Sequence, residues 1–331
     1  MQDFAVTKYG ALVEAVELPE PTLGEYDVLV RTEAAGLNML DEKIRAGEFK
    51  HMLSYSLPQV LGNDISGTVL AVGAAVTEFT VGEVVYGHPA QERMGTFADR
   101  VAIAAADLAP VPSSITVTEA GSLPLVALTA WQALVERGNV QPGARVLIHA
   151  GAGGVSSIAI QLAKHLGATV ATTASAGNAD FVRDLGADIV IDYRSELFNE
   201  LLSGYDLVLD SLGGDTPERS LAALRPGGKV IGIAGPPDPE FAKQAGLNKV
   251  LQLAIAGMSS SIRRKAKKHK VSYKFLFVHA DGQQLRAITE LIDAGMIRPI
   301  TAKTVPFVET AAANAALADG GIRGKAVIQT V

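Results

Sequence analysis

The chain has 331 residues, with 29 Lys and Arg against 35 Asp and Glu, six His and no Cys. Without a thiol there is no disulfide framework, no Cys-ligated zinc or iron–sulfur cluster and no cysteine nucleophile. A net charge of −6 gives no overall pull toward nucleic acid or an anionic membrane, and 48% hydrophobic with 19% charged residues excludes a disordered chain.

The opening residues, MQDFAVTKYG, combine no basic start with an apolar core, so no signal peptide is expected. The first third then reads as short strands: AVELPEP, YDVLVRTEAAG, ISGTVLAVG and VGEVVYGHP are Val- and Leu-rich runs broken by Gly and Pro every eight to twelve residues. From about Glu119 helix-length segments alternate with nearly all-apolar strands, the pattern of a parallel sheet buried on both faces. The strands are expected in ARVLIHA, ATVATTAS, ADIVIDY, YDLVLDS, GKVIGIAG and YKFLFVHA, with glycines closing the helices between them. Six strands at this spacing describe a doubly wound dinucleotide-binding domain. The tail from Gln283 holds a helix, the extended RPITAKTVPF, a second helix and the strand KAVIQTV, and is expected to return to the N-terminal domain. The uncharged run 146–163 is broken by glycines, a His, two Ser and a Gln, so it reads as a turn between elements and not a membrane span. A globular protein of the cytoplasm is the expectation.

The strongest motif is Gly151-Ala152-Gly153-Gly154-Val155-Ser156, placed after an expected strand and before an expected helix. In that context Gly151 permits a tight turn, Gly153 lets the backbone approach a pyrophosphate, and the helix N-terminus offers free N–H groups to the phosphates. Ser156 stands where a third glycine usually allows close packing. An NAD site usually carries an acid at the end of the second strand; here that strand ends Thr172-Thr173-Ala174-Ser175, with no acid before Asp180. Hydroxyls there can bind a 2′-phosphate, which favours NADPH, although Ser175 could equally cap the next helix. The histidines show no HxxxH or HxH spacing, and His149 reads as a core imidazole, so no zinc site is expected.

With these residues in place, the chain resembles the zinc-free medium-chain dehydrogenases/reductases of the quinone oxidoreductase (zeta-crystallin-like) branch, and is most similar to the NADPH-dependent alkenal/enone reductases. The markers run along the whole chain: AAGLNMLDEKIRAGEF, LPQVLGNDISGTVLAVG, LPLVALTAWQAL, HAGAGGVSSIAIQLAKHLGA, VRDLGADIVIDY, VLDSLGG and ELIDAGMIRPI with GKAVI. The resemblance implies a GroES-like β-rich catalytic domain from 1–120 and 281–331, and a Rossmann NADPH-binding domain from 121–280. In zinc-dependent relatives a Cys and a His stand where this chain has Asn38 and Asn63.

The resemblance further implies that Asn38 and Thr129 lie beside the nicotinamide. Ala152, Gly153, Gly154, Val155 and Ser156 would hold the pyrophosphate; Thr173, Ser175, Asn178 and Tyr193 the ribose and its phosphate. Ser211, Leu276, Phe277, Val278, Gly321, Ile322 and Arg323 would line the rest of the cofactor. Many relatives have Lys where Asn178 stands, and Pro where Met39 follows the AAGLN turn. The expected reaction is hydride transfer from NADPH to a quinone or to the β-carbon of an α,β-unsaturated carbonyl, with Asn38 and Thr129 either donating to the developing oxyanion or holding the nicotinamide amide, and with solvent or Tyr55 as the proton source. Two alternatives stand beside it: a zinc-free reductase of another carbonyl, and a non-catalytic NADPH-binding or RNA-associated protein. The basic stretch 263–270 reads as a solvated helix attracting an anionic cofactor, with an RNA patch as its alternative. An apolar edge strand at YKFLFVHA predicts a homodimer.

Overall fold

The computed structural model describes residues 2–50, 52, 53 and 55–330. It divides into two compact units, Met1–Leu128 with His279–Val331, and Thr129–Val278.

The first unit opens with β1 (Gln2–Val6), β2 (Glu14–Glu17) and β3 (Asp27–Gly36), followed by the helix α1 (Met39–Ala46). Next come β4 (Gln59–Val60), β5 (Ile65–Val72), β6 (Val84–Gly87), β7 (Arg100–Ala104) and β8 (Leu108–Pro110), then α2 (Val117–Ala120) and α3 (Pro124–Trp131), whose last residues enter the second unit. β3 is the hub, pairing antiparallel with both β5 and β7. Its alternation buries Val28 and Val30 with Ile65, Val69, Val85 and Ile103, while Ala35 joins a second cluster with Leu37, Ile44, Leu61 and Phe97. Gly67 lets β5 close on β3: a Cβ there would lie 1.9 Å from the Arg31 carbonyl oxygen.

The second unit contains β9 (Arg145–Ile148), α4 (Gly154–His165), β10 (Thr169–Ala174), α5 (Ala179–Asp184), β11 (Ile189–Asp192), α6 (Phe198–Leu201), β12 (Tyr205–Asp210), α7 (Thr216–Ser220) and β13 (Leu224–Gly232). Three helices, α8 (Pro239–Gln244), α9 (Lys249–Met258) and α10 (Ser260–Lys268), precede β14 (Ser272–Phe275). The sheet order is β11-β10-β9-β12-β13-β14, every neighbour parallel. Counted within the unit this is 3-2-1-4-5-6, the doubly wound order whose reversal lies between the first and fourth strands. The six strands fall in the six expected segments, with β14 at the edge. α6 is shorter than SELFNELLSG suggests, because Asp192 first forms a turn: its carbonyl accepts from the Ser195 and Glu196 amides, and its own N–H donates to Glu196 Oε2 at 2.9 Å.

The tail supplies α11 (Gly282–Asp293), β15 (Thr301–Pro306), α12 (Thr310–Ala315) and β16 (Lys325–Gln329). β16 pairs antiparallel with β3, Ile328 opposite Ala35, and parallel with β15. The last elements therefore complete the β-rich unit with which the chain opens, giving the sheet β15-β16-β3-β5-β6-β8. No helix is long and apolar enough to cross a membrane among the described residues.

Candidate functional site

In the second unit, the turn after β9 is shaped by contacts that the glycine motif only partly suggests. The left-handed residue is Ala150 (φ 53), not Gly151. Gly151 is needed for clearance, since a Cβ there would sit 2.3 Å from Thr172 Oγ1. Gly153 is the N-cap of α4 and has no side chain to offer the first-turn amides, so Gly154, Val155 and Ser156 present their N–H groups at a half-exposed helix end. Ser156 in the third-glycine position is buried and donates to the His149 carbonyl at 2.7 Å, tying helix to strand. This cradle suits a pyrophosphate, with open backbone donors and a helix dipole.

His149 is fully buried beside it, with its ring edge-to-face against Phe198. Ser220 Oγ donates its hydrogen to the Thr216 carbonyl at 2.7 Å, so it accepts from His149 Nε2–H at 2.9 Å. That leaves Nδ1 as an acceptor for the Thr173 hydroxyl at 3.2 Å, and Thr173 Oγ1 in turn accepts from the Ala150 amide at 3.1 Å. Burial holds the imidazole neutral, its pKa lowered to about 3. Thr173 is accordingly not placed as a phosphate contact. Its hydroxyl is 2% exposed residue-wide and spent in both directions on the turn. Thr172, expected beside it, likewise donates inward, to the Ile148 carbonyl at 2.6 Å.

Ser175 behaves differently. It is half-buried just past the end of β10, makes no side-chain cap bond, and its hydroxyl has no partner among the described residues; the capping alternative does not hold. Asn178, also half-buried, caps α5 without a side-chain bond. Tyr193 is exposed and its amide donates to the Ala174 carbonyl at 3.3 Å, which brings it beside Ser175 at the strand ends. Arg194, which the sequence reading passed over, lies with Cζ 5.8 Å from the Tyr193 ring centroid. It supplies a cation beside Tyr193 at the strand ends. Ser211 turns toward the His149 carbonyl at 3.4 Å. Leu276 and Val278 are buried and Phe277 packs its ring 5.7 Å from Phe241. Asp210, at the end of β12, is buried and accepts from the Gly213 amide at 3.1 Å; burial raises its pKa to about 6.

In the first unit, Asn38 and Asn63 are drawn into one buried network. Asp41 joins them: its Oδ2 accepts from the Asn38 amide at 2.8 Å and its Oδ1 from Asn63 Nδ2 at 2.7 Å. Both hydrogens of Asn38 Nδ2 are used, on the Gly36 carbonyl at 3.2 Å and Asp64 Oδ2 at 2.9 Å. Lys325 spends its three donors on Asn38 Oδ1, the Leu37 carbonyl at 2.7 Å and Asp64 Oδ2 at 3.1 Å. Asp64 Oδ1 accepts from the Leu125 amide at 2.6 Å. His88 Nδ1–H donates to the Asn63 carbonyl at 2.6 Å, and burial lowers the pKa of its ring. Asn63 Oδ1 is the network's one buried acceptor without a partner. Burial raises the Asp41 carboxyl to about 7, against the opposing pull of Asn63 and Lys325.

These bonds correct the expected role of Asn38: an amide with both hydrogens committed has none left for an oxyanion. Nor does the donor set fit zinc. The two positions given to Cys and His in zinc-dependent relatives are amides, and an ammonium already sits on Asn38 Oδ1 and Asp64. Among the described residues no group of three or more His, Asp or Glu could hold a metal ion. Tyr55 packs against the cluster of Leu37 and Leu61, and its hydroxyl accepts from Gln91 Nε2 at 2.6 Å while donating to the Gln91 carbonyl at 3.3 Å. Burial pushes its pKa up to about 12, so it keeps its proton at neutral pH. Thr129 is 4% exposed on α3. Ile322 packs into the same cluster as Tyr55, with Gly321 (φ 80) and Arg323 exposed on either side.

Asp41, Asp64, His88 and Lys325 were not singled out from sequence. Asp41 carried a signal, as the acid three residues after a helix-starting Asn; Lys325, within GKAVI, carried none.

Known proteins fit this arrangement. The alcohol dehydrogenase GroES-like domain matches residues 24–113 and the zinc-binding dehydrogenase domain residues 185–328. The mitochondrial NAD(P)H oxidoreductase RTN4IP1 of Mus musculus is 33% identical over 329 residues, covering 92% of this chain and 82% of its own. The chloroplastic NADPH-dependent alkenal/one oxidoreductase of Arabidopsis thaliana is 32% identical over 327 residues, covering 95% and 75%. The solved quinone oxidoreductase of Coxiella burnetii superposes with a TM-score of 0.87 at 29% identity, covering 100% of this chain and 99% of that one. A β-rich GroES-like unit closed by the chain's last strand, a six-stranded Rossmann sheet in a second unit and relatives of this kind over nearly the full length together place the chain in the medium-chain dehydrogenase/reductase superfamily of oxidoreductases.

Proposed function

We propose that the chain is an NADPH-dependent reductase that transfers hydride to quinones or to the β-carbon of α,β-unsaturated carbonyls without zinc. The observation that carries this reading is the amide–ammonium network of Asn38, Asn63, Asp64 and Lys325, which leaves a carbonyl oxygen no metal to bind and so favours acceptors that accept hydride without one. The choice of NADPH rests on the strand ends, where Ser175 has a free hydroxyl and Arg194 a guanidinium beside Tyr193, a set able to bind a 2′-phosphate. The activities for which the Arabidopsis and Coxiella relatives are named point to the same acceptors.

When bound, the nicotinamide supplies the hydride. The chain's own part is placement: the open amides of Gly154 to Ser156 hold the diphosphate, and the strand-end side chains orient the adenosine half. Asn38 is a positioning residue that fixes the Gly36–Asn38 backbone through Asp64 and Lys325. Thr129 remains the proposed donor to the developing oxyanion. Tyr55, held on Gln91 and protonated at neutral pH, is a poor proton source, so solvent protonates the enolate. The proposal extends to a homodimer formed at the edge strand β14, to be checked by light scattering.

The test is nicotinamide oxidation against a quinone, an enone and a saturated aldehyde, with NADPH or NADH and with EDTA. Turnover of quinone or enone with NADPH, unaffected by EDTA, is expected. Turnover of the saturated aldehyde alone, or loss of activity in EDTA, would overturn the reading. Tight NADPH binding without any turnover would favour the non-catalytic alternative.

A further inference from the structure

From Phe241 to Ala280 the chain carries nine of its Lys and Arg and none of its 35 Asp and Glu, although acids outnumber bases overall. This stretch builds α8, α9, α10 and β14. α9 is unusual in what it shows to solvent. Lys249, Val250, Leu253, Ala254, Gly257 and Met258 are its exposed residues, two adjoining rows at a spacing of four. Val250 is 78% exposed, Leu253 76% and Met258 63%, whereas Ile255 is the helix's one buried residue. A surface helix ordinarily turns its polar side outward; this one presents an apolar row with a single ammonium at its start. α10 follows directly, burying Ile262 and Ala266 and exposing a basic face.

Some of these cations are already spent. Lys265 pairs with Glu218 and Lys274 with Glu240, while Arg263 donates to the Ala256 carbonyl at 2.8 Å and Arg264 to the Ser260 carbonyl at 3.3 Å. Among the described residues, the ammonium groups of Lys243, Lys249, Lys267, Lys268 and Lys270 have no hydrogen-bond or ion partner.

We propose that the α9–α10 face docks on an anionic lipid surface, with Val250, Leu253 and Met258 entering the boundary between headgroups and acyl chains and the free lysines meeting lipid phosphates. Two features select lipid over other anionic partners. No Phe, Tyr or Trp lies between Phe241 and Tyr273, so the basic face lacks the large rings on which bases stack best. The unpaired lysines beside the apolar row of α9 would repel their own copies across a two-fold contact, whereas lipid phosphates neutralise them. The overall negative charge does not oppose this, because salt screens charges more than about 10 Å away. The inference stands apart from the proposed reductase activity.

The full chain is floated with vesicles of phosphatidylcholine alone and of phosphatidylcholine with about 30% phosphatidylserine. It is expected to rise with the anionic vesicles only, and to be released by added salt. The exposed pairs Val250→Ser with Leu253→Ser, and Lys267→Glu with Lys268→Glu, should each weaken partition at least about tenfold while circular dichroism and melting stay as in the parent. No flotation with anionic vesicles at low salt would overturn the proposal, as would flotation that survives both pairs. So would two substitute results in the absence of flotation: a halving of mass by light scattering in Val250→Ser with Leu253→Ser, which would make the face a contact between copies, or binding of a single-stranded RNA lost in Lys267→Glu with Lys268→Glu.

Discussion

Replacing Lys325 by Met tests whether the buried network holds the first unit together. Lys325 is 6% exposed and Asp64 fully buried. The substitution removes the ammonium from Asp64 Oδ2, Asn38 Oδ1 and the Leu37 carbonyl at one stroke, leaving the Asp64 carboxylate with only the Leu125 amide and Asn38 Nδ2. Breaking one side of a buried pair costs about 3–5 kcal/mol, because the remaining charge has no compensation. A unit of this size melts roughly 2–4 °C lower per kcal/mol, so calorimetry should show a drop on the order of 6–20 °C in the transition of the first unit. Adding Asp64→Asn keeps an oxygen for the Leu125 amide and removes the orphaned charge, so the double variant should regain more than half of the loss. A Lys325→Met protein within about 1 kcal/mol of the parent, or a double variant no better than the single one, would refute the reasoning.

Four other outcomes are expected. The Asp41 carboxyl, raised by burial to about 7, keeps its proton in the folded chain where the unfolded chain has lost it, so the first unit should lose stability as pH rises from about 4 to 7, by at most about 1.4 kcal/mol per pH unit. Melting of Asp41→Asn across that window should be flatter. His149 has the opposite sign: neutral down to about pH 3 when folded but protonated below about 6.5 when unfolded, it should make the second unit less stable as pH falls through that range, and His149→Gln should reduce the slope. Gly151→Ala sets a Cβ against Thr172 Oγ1 and should cost about 1–3 kcal/mol in denaturant unfolding, with weaker nucleotide binding by calorimetry. Arg194→Ala should weaken NADPH binding by about 10- to 100-fold, the worth of a charge-assisted bond, and leave NADH nearly unchanged; equal loss for both would separate Arg194 from the 2′-phosphate.

How far the sequence could be read follows from the range of each interaction. The Rossmann strands were legible because a parallel sheet writes short apolar runs between glycine-ended helices, as from Ala144 to Gly186. The return of KAVIQTV to the first unit followed from the want of another βαβ unit after YKFLFVHA. The network around Asp64 was not legible: Lys325 lies 261 positions away, and no local pattern announces such a partner. Thr173 and Ser175 look alike in sequence, yet one hydroxyl is consumed by Ala150 and His149 and the other is free, because Thr173 lies within β10 beside the buried imidazole and Ser175 lies just past the strand's end. The basic stretch of α10 was legible, but the outward apolar row of α9 was not, because a run such as KVLQLAIAGM reads equally well as a buried helix.

The strand that completes the first unit follows all of Thr129–Val278 in the chain. Until β16 arrives beside β3, the Asp64 and Asn38 side chains have no ammonium, and the edge of β3 that receives Val327 to Gln329 stands unpaired. Maturation of the β-rich unit is thereby made conditional on the translation of the unit inserted within it. A chain stopped short of Lys325 would expose an open sheet edge above an uncompensated buried acid, the kind of surface that quality control recognises.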